Sequence, residues 1–562
     1  MSAPQQAAAP PSPPTPAGPV GALPRRPTLS RPVWVATATA LLLGVLWARF
    51  VAGVSGDLAA QWAWADFAAH HPGSAYDLAW YGGMHPASYS VLTPWLMALF
   101  GVRTVAVASG VISAALLAHL VVRAGVRRPL PVVLWGAFAL SCNVAAGRVT
   151  FALGIMFGLA ALLPIAPAPT TGDGTAAPAT APAAAPARGT DRWRLAWAAV
   201  LALLATMASP VAGLFIEVAA AALLLTGRRR LGWALAGPPP VVVLGTALLF
   251  PGSGIDPISG PTALICVGCA AVVALISPPS WRTLRIGCLV YAAGSGLTWM
   301  FRTPIGSNVE RLALIFGSVL VLAALCSRPF SWYRTPAACV ALAVTAYWTV
   351  SANIIGIPLP PPPRQADALV AELHRLHADQ ARIEAVPMLN HWESWGLVDT
   401  AELARGWNRQ ADVQRNPLFY GNALTPADYH DWLQRWAVGY VALPAGPTDV
   451  AADAEAALIR TGPAWLQQVW HDDNWQLFRF TDAVPLADPP ATVEQADAAQ
   501  LRLTVTAPGP VLLRVPWSPW LAAHGPAGTC LSQDGDWTRL TAPAAGEYRI
   551  DARYGWPRGT PC

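Results

Sequence analysis

Between Val33 and Gly356 the chain runs through eleven apolar stretches separated by short loops, a succession that narrows the folds open to it more than any other feature. Away from water, a stretch of about 20 apolar residues can satisfy its own backbone polar groups only as a helix. The stretches lie at about 33–53, 103–123, 129–146, 150–166, 194–208, 211–226, 231–250, 262–277, 285–301, 309–326 and 336–356. Several are shorter than a straight span needs, so their ends are loosely set. Tyr89–Gly101 is shorter still and contains Pro94, which reads as an interfacial or re-entrant helix. With 54% hydrophobic and 12% charged residues, the chain carries about half the charge of an ordinary soluble domain.

The arginines set an expected orientation. All 36 Lys+Arg positions are arginine, which excludes a lysine Schiff base or a P-loop lysine and fits the coding bias of a GC-rich genome. Arg25, Arg26 and Arg31 precede the first stretch and place the N-terminus in the cytoplasm. The cytoplasmic loops then hold Arg127/Arg128, Arg188/Arg192/Arg194, Arg228/Arg229/Arg230, Arg282/Arg285 and Arg328/Arg334. The outer loops hold the sparser Arg148, Arg302 and Arg311. Eleven crossings put everything after Ile357 outside. The net charge of +5 sits largely in these loops, so it reports topology and implies no nucleic-acid partner.

The expected fold class is therefore a polytopic α-helical membrane protein of about eleven transmembrane helices, located in the cell membrane. A C-terminal extracytoplasmic α/β region plus a β-sandwich-like region follows it. Residues 1–31 form a disordered Pro/Ala tail, and 32–356 the transmembrane domain with a cytoplasmic Pro/Ala linker at 167–192. After the stiff spacer PLPPPPR, 357–497 alternates helical and strand patterns, with strands expected at Ile383–Leu389, Val438–Leu443 and Trp475–Phe480. Residues 498–562 read as a β-rich module of alternating strands. Six of the eight cysteines lie in or beside apolar stretches, as small hydrophobes. Cys530 and Cys562 lie alone in the C-terminal part, where an outside location makes them a disulfide candidate.

Chemistry concentrates in Ser55–Ser90, which carries Asp57, Asp66, Asp77, His70, His71 and His85 among Trp62, Trp64, Tyr76, Trp80 and Tyr81, with no basic arginine. Asp57 stands at the outer end of the first span, where an ionisable group is a functional candidate. A helix from Leu58 to His70 sets Asp57 and Asp66 on opposite flanks, and no zinc ligand spacing occurs, so no metal ligands are assigned. Arg302, Asn308, Glu310 and Arg311 crowd one outer loop, and Arg148 lies in another. Arginine makes bidentate bonds to phosphate, a carboxylate can deprotonate a hydroxyl, and aromatic faces suit sugar rings. In the soluble part, His391, Trp392, Glu393, Trp395, Arg405, Trp407, Arg409 and Tyr420 form a second polar-aromatic cluster, suited to a glycan or to packing.

Gly56-Asp57 after the first span, the interfacial helix at Tyr89–Gly101 and the long part after Ile357 resemble the GT-C class of membrane glycosyltransferases, of actinobacterial type. That resemblance implies a polyprenyl-phosphate sugar donor and a cell-envelope glycan or lipid acceptor. It implies that Asp57 is the catalytic base, with Asp66 and Asp77 as rivals because no second acid adjoins Asp57. Arg302 or Arg311 would hold the lipid phosphate. Arg148, His70, His71, Tyr81, His85 and Asn308 join the expected substrate-binding set. Membrane lipids are expected partners; no cofactor is assigned, and a divalent metal is left open. Two other readings stay open at this point: a multi-pass transporter or flippase, with Glu217 as its intramembrane acid, and a non-catalytic envelope scaffold.

Overall fold

The computed structural model describes residues 30–53, 56–165, 188–252, 254–327, 334–355, 366–398, 400–421 and 424–562. The expected N-terminal tail up to residue 29, the linker at 166–187, the PLPPPPR spacer, Ser55 and Arg328 lie outside the described residues.

In chain order the first helices are α1 (Arg31–Phe50), α2 (Asp57–His70), α3 (Pro86–Tyr89), α4 (Thr93–Phe100), α5 (Val102–Arg123), α6 (Pro129–Ala145) and α7 (Val149–Leu162). They are followed by α8 (Arg188–Ala208), α9 (Pro210–Leu225), α10 (Arg229–Ala236), α11 (Pro238–Leu249), α12 (Gly260–Ile276), α13 (Arg282–Met300), α14 (Glu310–Ser327) and α15 (Arg334–Val350). A π-helical turn, Ser351–Ile355, extends α15. The stretch expected at 231–250 is one run, Arg229–Leu249, in which α10 passes into α11 at Gly237, where Pro238, Pro239 and Pro240 withdraw three backbone donors. Five runs are long and apolar enough to cross a membrane: Arg31–Phe50, Val102–Arg123, Arg229–Leu249, Gly306–Ser327 and Thr335–Ile354. Shorter apolar helices (α6, α7, α9 and α12) pack among them.

The bundle is inverted relative to a water-soluble one. Leu42, Phe50, Trp197, Leu244, Leu264, Leu289 and Val344 face outward, where a soluble bundle would carry charge. Its interior is closed by small residues. A Cβ on Gly154 of α7 would lie 2.6 Å from the Ala212 Cβ of α9, so the two helices approach as closely as only glycine permits.

The C-terminal region adds α16 (Asp367–Arg375), α17 (Glu393–Gly396), α18 (Arg409–Arg415), α19 (Pro426–Arg435) and α20 (Asp453–Arg460). Its strands are β1 (Arg382–Ala385), β2 (Val438–Pro444), β3 (Leu466–His471), β4 (Trp475–Phe480), β5 (Ala491–Ala496), β6 (Gln500–Val505), β7 (Gly509–Pro516), β8 (Ala522–His524), β9 (Cys530–Asp534), β10 (Trp537–Ala542) and β11 (Gly546–Asp551). β1 is shorter than the sequence pattern, because Pro387 cannot donate to a ladder. The first sheet has the order β1-β2-β4-β3, with β1 parallel to β2 and the remaining pairs antiparallel. The second part is two antiparallel sheets, β7-β10-β9 and β5-β6-β11-β8, whose inner faces share one core through Leu513, Leu540, Leu503 and Ile550. Since β5 pairs with β6, the β-rich module begins before residue 498. Cys530 and Cys562 are disulfide-bonded, tying β9 to the last residue.

The segment expected as an acidic surface loop is a layer of this C-terminal region. One face of the first sheet packs α19 and α20 through Leu433 and Ile459. The other face packs α2 and the strap after it, through Trp64, Phe67, Trp80 and Tyr81 against Ile383, Tyr440 and Leu477. Ala75 N donates to Ala552 O (2.7 Å), Leu78 N to Ala498 O (2.9 Å) and Leu403 N to Ala79 O (2.8 Å), so the strap is bonded to both sheet systems. Gly83, at φ +150°, brings the turn so close that a Cβ would lie 2.2 Å from the Tyr76 ring. Trp64 and Trp80 are fully buried, and each buried side chain of this size stabilises the docking by about 1.5–3 kcal/mol.

Candidate functional site

One end of the bundle bears the C-terminal region, and polar side chains gather there. Asp57 is the first residue of α2, where its charge faces the helix N-terminus favourably. Arg148, just before α7, donates from Nε to Asp57 Oδ2 at 3.2 Å. Its Nη1 donates to Asn353 Oδ1 at 2.8 Å, and Asn353 Nδ2 is anchored on Thr349 O at 2.7 Å. Both partners of the Asp57–Arg148 pair keep part of their surface open, at 31% and 17%. Arg311, in the first turn of α14, lies over the Phe151 ring at 5.5 Å and interacts electrostatically with Arg148, Asp57, Tyr89 and Glu310. Tyr89 accepts from Gln61 Nε2 and stacks on Trp64 with ring centroids 5.8 Å apart. Two guanidinium groups, the Asp57 and Glu310 carboxylates and a phenol thus share one patch.

A second loop pair closes the side of this patch. Asp256 Oδ2 accepts from Ser307 Oγ (2.8 Å) and Asn308 Nδ2 (2.9 Å). Burial raises the Asp256 pKa above the ordinary carboxylate value, against the lowering effect of the Ser307 hydrogen bond and the Arg311 charge. Gly306 at φ +41° lets the loops interlock, since a Cβ there would collide with Asp256 O. Ile255 N donates to Gln410 O at 3.0 Å, which joins this loop to α18.

The C-terminal region meets the patch at Gly56. A Cβ on Gly56 would lie 3.8 Å from His391 Cδ2. His391, at φ +55°, stacks on Trp407 at 3.3 Å and lies 3.5 Å from both Glu393 Oε1 and Asp449 Oδ2. Arg409 completes the group, 3.0 Å from Asp449 Oδ2. Burial works against a charged imidazole, but the Asp449 and Glu393 carboxylates outweigh it and raise the His391 pKa above its ordinary value. A raised folded-state pKa gives stability that is complete below the unfolded value of about 6.5 and is lost as pH rises through the raised value. Amide protection across Leu389–Gly396, corrected for intrinsic exchange, should therefore fall over that window and lose its pH step in His391→Gln. A step that survives the substitution would belong to another group.

The remaining expected site residues lie elsewhere. Asp66 accepts from Trp395 Nε1 and so serves the docking of α17 on α2. Asp77 is buried and accepts from Ala79 N at 2.9 Å within the strap. Tyr81 and His85 are buried too: Tyr81 Oη donates to Gly406 O at 2.9 Å, and His85 bridges Ala75 O and Ser518 Oγ. His70 and His71 end α2, about 20 Å along the helix from Asp57. Arg302 is exposed on its loop, and Asn308 is taken up by Asp256. In the polar-aromatic cluster Arg405 is buried among carboxylates, and Trp392 and Trp395 pack against each other, with Trp395 also on Trp62. Asn353, Tyr89, Gln61 and Asp256 were not singled out from sequence. Asn353, a lone amide in an apolar run, carried a usable signal; the other three had none until the loops met.

Within the bundle lies an apolar cavity of about 410 Å³. Its walls include Ile155, Phe215, Ile216, Leu284, Tyr291 and Phe316, and extend from Leu312 in the first turn of α14 to Thr283 in the first turn of α13. Its size falls within the ~300–1,000 Å³ of small-molecule pockets. Among the described residues no group of three or more His, Cys, Asp or Glu could hold a metal ion.

Residues 488–562 match a family described as a domain of unknown function, DUF8823. No curated protein matches the chain. Among solved structures, the chain is similar to the arabinofuranosyltransferase AftD from Mycobacteria, with 14% identity, 92% of this chain and 59% of that chain covered, and a TM-score of 0.44. It is also similar to the Archaeoglobus fulgidus oligosaccharyltransferase, with 10% identity, 73% and 69% covered, and a TM-score of 0.43. The same oligosaccharyltransferase, AglB, in complex with an inhibitory peptide and a dolichol-phosphate, gives a TM-score of 0.41 at 10% identity over 73% and 69% of the two chains. The chain thus spans 59% of the length of the arabinofuranosyltransferase.

Proposed function

We propose that the chain is a membrane glycosyltransferase that moves a sugar from a polyprenyl-phosphate donor to a hydroxyl of a cell-envelope glycan or lipid. The observation that carries this reading is the Asp57–Arg148 pair beside Arg311, gathered at the end of an apolar helix bundle. A lipid phosphate needs cations at the end of an apolar surface, and a hydroxyl acceptor needs a base beside it. In this reading the Asp57 carboxylate takes the acceptor hydroxyl proton, and the hydroxyl oxygen attacks the anomeric carbon. The bond from that carbon to the phosphate oxygen breaks, and the lipid phosphate leaves with the electron pair. Arg311 and Arg148 stabilise its charge as it develops. Arg148, held by Asn353, also fixes the carboxylate. The reading includes eleven crossings, a cytoplasmic N-terminus and an outer site.

The test is the full chain in proteoliposomes with a pool of lipid-linked sugar donors and short glycan acceptors. Donor-dependent sugar transfer is expected, with Arg311→Gln raising the donor KM. Donor-independent solute flux without transfer would overturn the reading in favour of a carrier.

A further inference from the structure

We propose that the turn Arg553–Arg558 of the C-terminal β module is a membrane-interface anchor whose partner is the phospholipid headgroup layer around the bundle. The module is fixed at the level of the helix ends. Trp520 Nε1 donates to the carbonyl of Leu249, the last residue of α11, at 2.6 Å, and Arg558 Nη1 donates to the same oxygen at 3.3 Å. Phe250 stacks on Trp520 with centroids 5.2 Å apart, and Tyr554 packs edge-on against both rings. Tyr554 also meets Trp95 of α4 at 6.4 Å. The turn therefore sits beside the last residues of α11 and the first turn of α4.

Trp556, at the tip, is 79% exposed, with the Arg558 guanidinium over its ring at 5.6 Å. The helix residues next to these contacts are equally bare: Leu248 is 76% exposed and Leu99 73% exposed. A tryptophan this bare, on a turn docked at helix ends that expose leucine, is placed as interfacial tryptophans are, with its ring among the headgroups. Arg558 can extend its charge to the phosphates while its stem covers the ring. Residues 552–562 contain no acidic side chain, and the neighbouring Asp551, 3.5 Å from Arg553, is buried. The exposed aromatics at 554 and 556 thereby acquire a role within a module that matches a domain of unknown function. The inference needs the bundle to lie in a bilayer and is independent of the transfer reaction.

The experiment uses the full chain in phosphatidylcholine–phosphatidylglycerol vesicles containing radiolabelled phospholipid. The photoreactive residue p-benzoylphenylalanine replaces Trp556, Leu248 or Gln533 in turn. Gln533 is exposed on the β9–β10 hairpin, which pairs with α19 through Arg435 and Asp536. Labelled lipid is expected on the chain at position 556 at the level seen at 248 and well above that at 533. Strong labelling at 248 with 556 no higher than 533 would overturn the proposal.

Discussion

Asp57→Asn is expected to cut sugar transfer by about 10²–10⁴-fold, the range of a positioned general base, with donor KM nearly unchanged. The substitution keeps the shape and removes the proton acceptor. Arg148 would still donate to the amide oxygen, and Asn353 would still hold Arg148. Asp57 has part of its surface open, so its loss leaves no fully buried cation unpaired, and folding should survive. The comparison that decides is with Asp66→Asn and Asp77→Asn. Asp66 is tied to Trp395 and Asp77 to the strap backbone, so those changes should lower stability while kcat in the folded fraction stays within a few-fold of wild type, as for groups outside the reacting atoms. If Asp77→Asn abolished turnover in well-folded protein while Asp57→Asn did not, the assignment of the base would be wrong.

Arg405→Met is expected to destabilise the C-terminal region by roughly 3–5 kcal/mol, the cost of leaving a buried charge without its partner. Arg405 is buried and donates from Nε to Glu384 Oε1 at 2.8 Å and from Nη2 to the same oxygen at 2.6 Å. Nη2 also meets Glu455 Oε2, and the guanidinium lies 3.8 Å from the centre of the Phe419 ring. Tyr429 Oη donates to the other Glu455 oxygen at 2.8 Å. One cation thus holds two buried carboxylates, and methionine fills the volume without the charge. Burial raises the pKa of both Glu384 and Glu455, against the lowering effect of Arg405. Carboxyls that bind protons more tightly when folded make stability fall as pH rises, so the variant should recover partly on acidification. Adding Glu455→Gln should restore part of the loss. Chemical unfolding of the full chain, followed by amide exchange over residues 382–460, measures this. A change below about 0.5 kcal/mol, the range of an ordinary surface substitution, would show that the cluster contributes little.

Much of the bundle was legible. Apolar runs of helix length fall on α1, α5, α6 and the rest because a helix is the one element that satisfies its own backbone within a single stretch of chain. The interruption of the backbone ladder at Gly237, within the single run Arg229–Leu249, is legible too, in three consecutive prolines. Asp57, Arg148 and Arg311 could be shortlisted because charge at the end of an apolar run is costly. Tyr81, His85 and Asp77 misled for the opposite reason. Polar and aromatic types in one loop look alike whether they line a pocket or saturate a core. Only their partners, Gly406, Ser518 and Ala79, distinguish the two.

The sequence by itself determined where the chain is helical, that those helices present apolar surface outward, and which few ionisable groups stand at their ends. These follow from local composition and periodicity, which act within one segment. Tertiary structure alone decided that Ser74–Met84 is a buried strap and that α2 covers one face of the first sheet. It also decided that Arg148, 91 residues from Asp57 in sequence, is the side chain that meets it. Such pairings depend on loops converging at one end of a bundle, and no single segment records which loops converge.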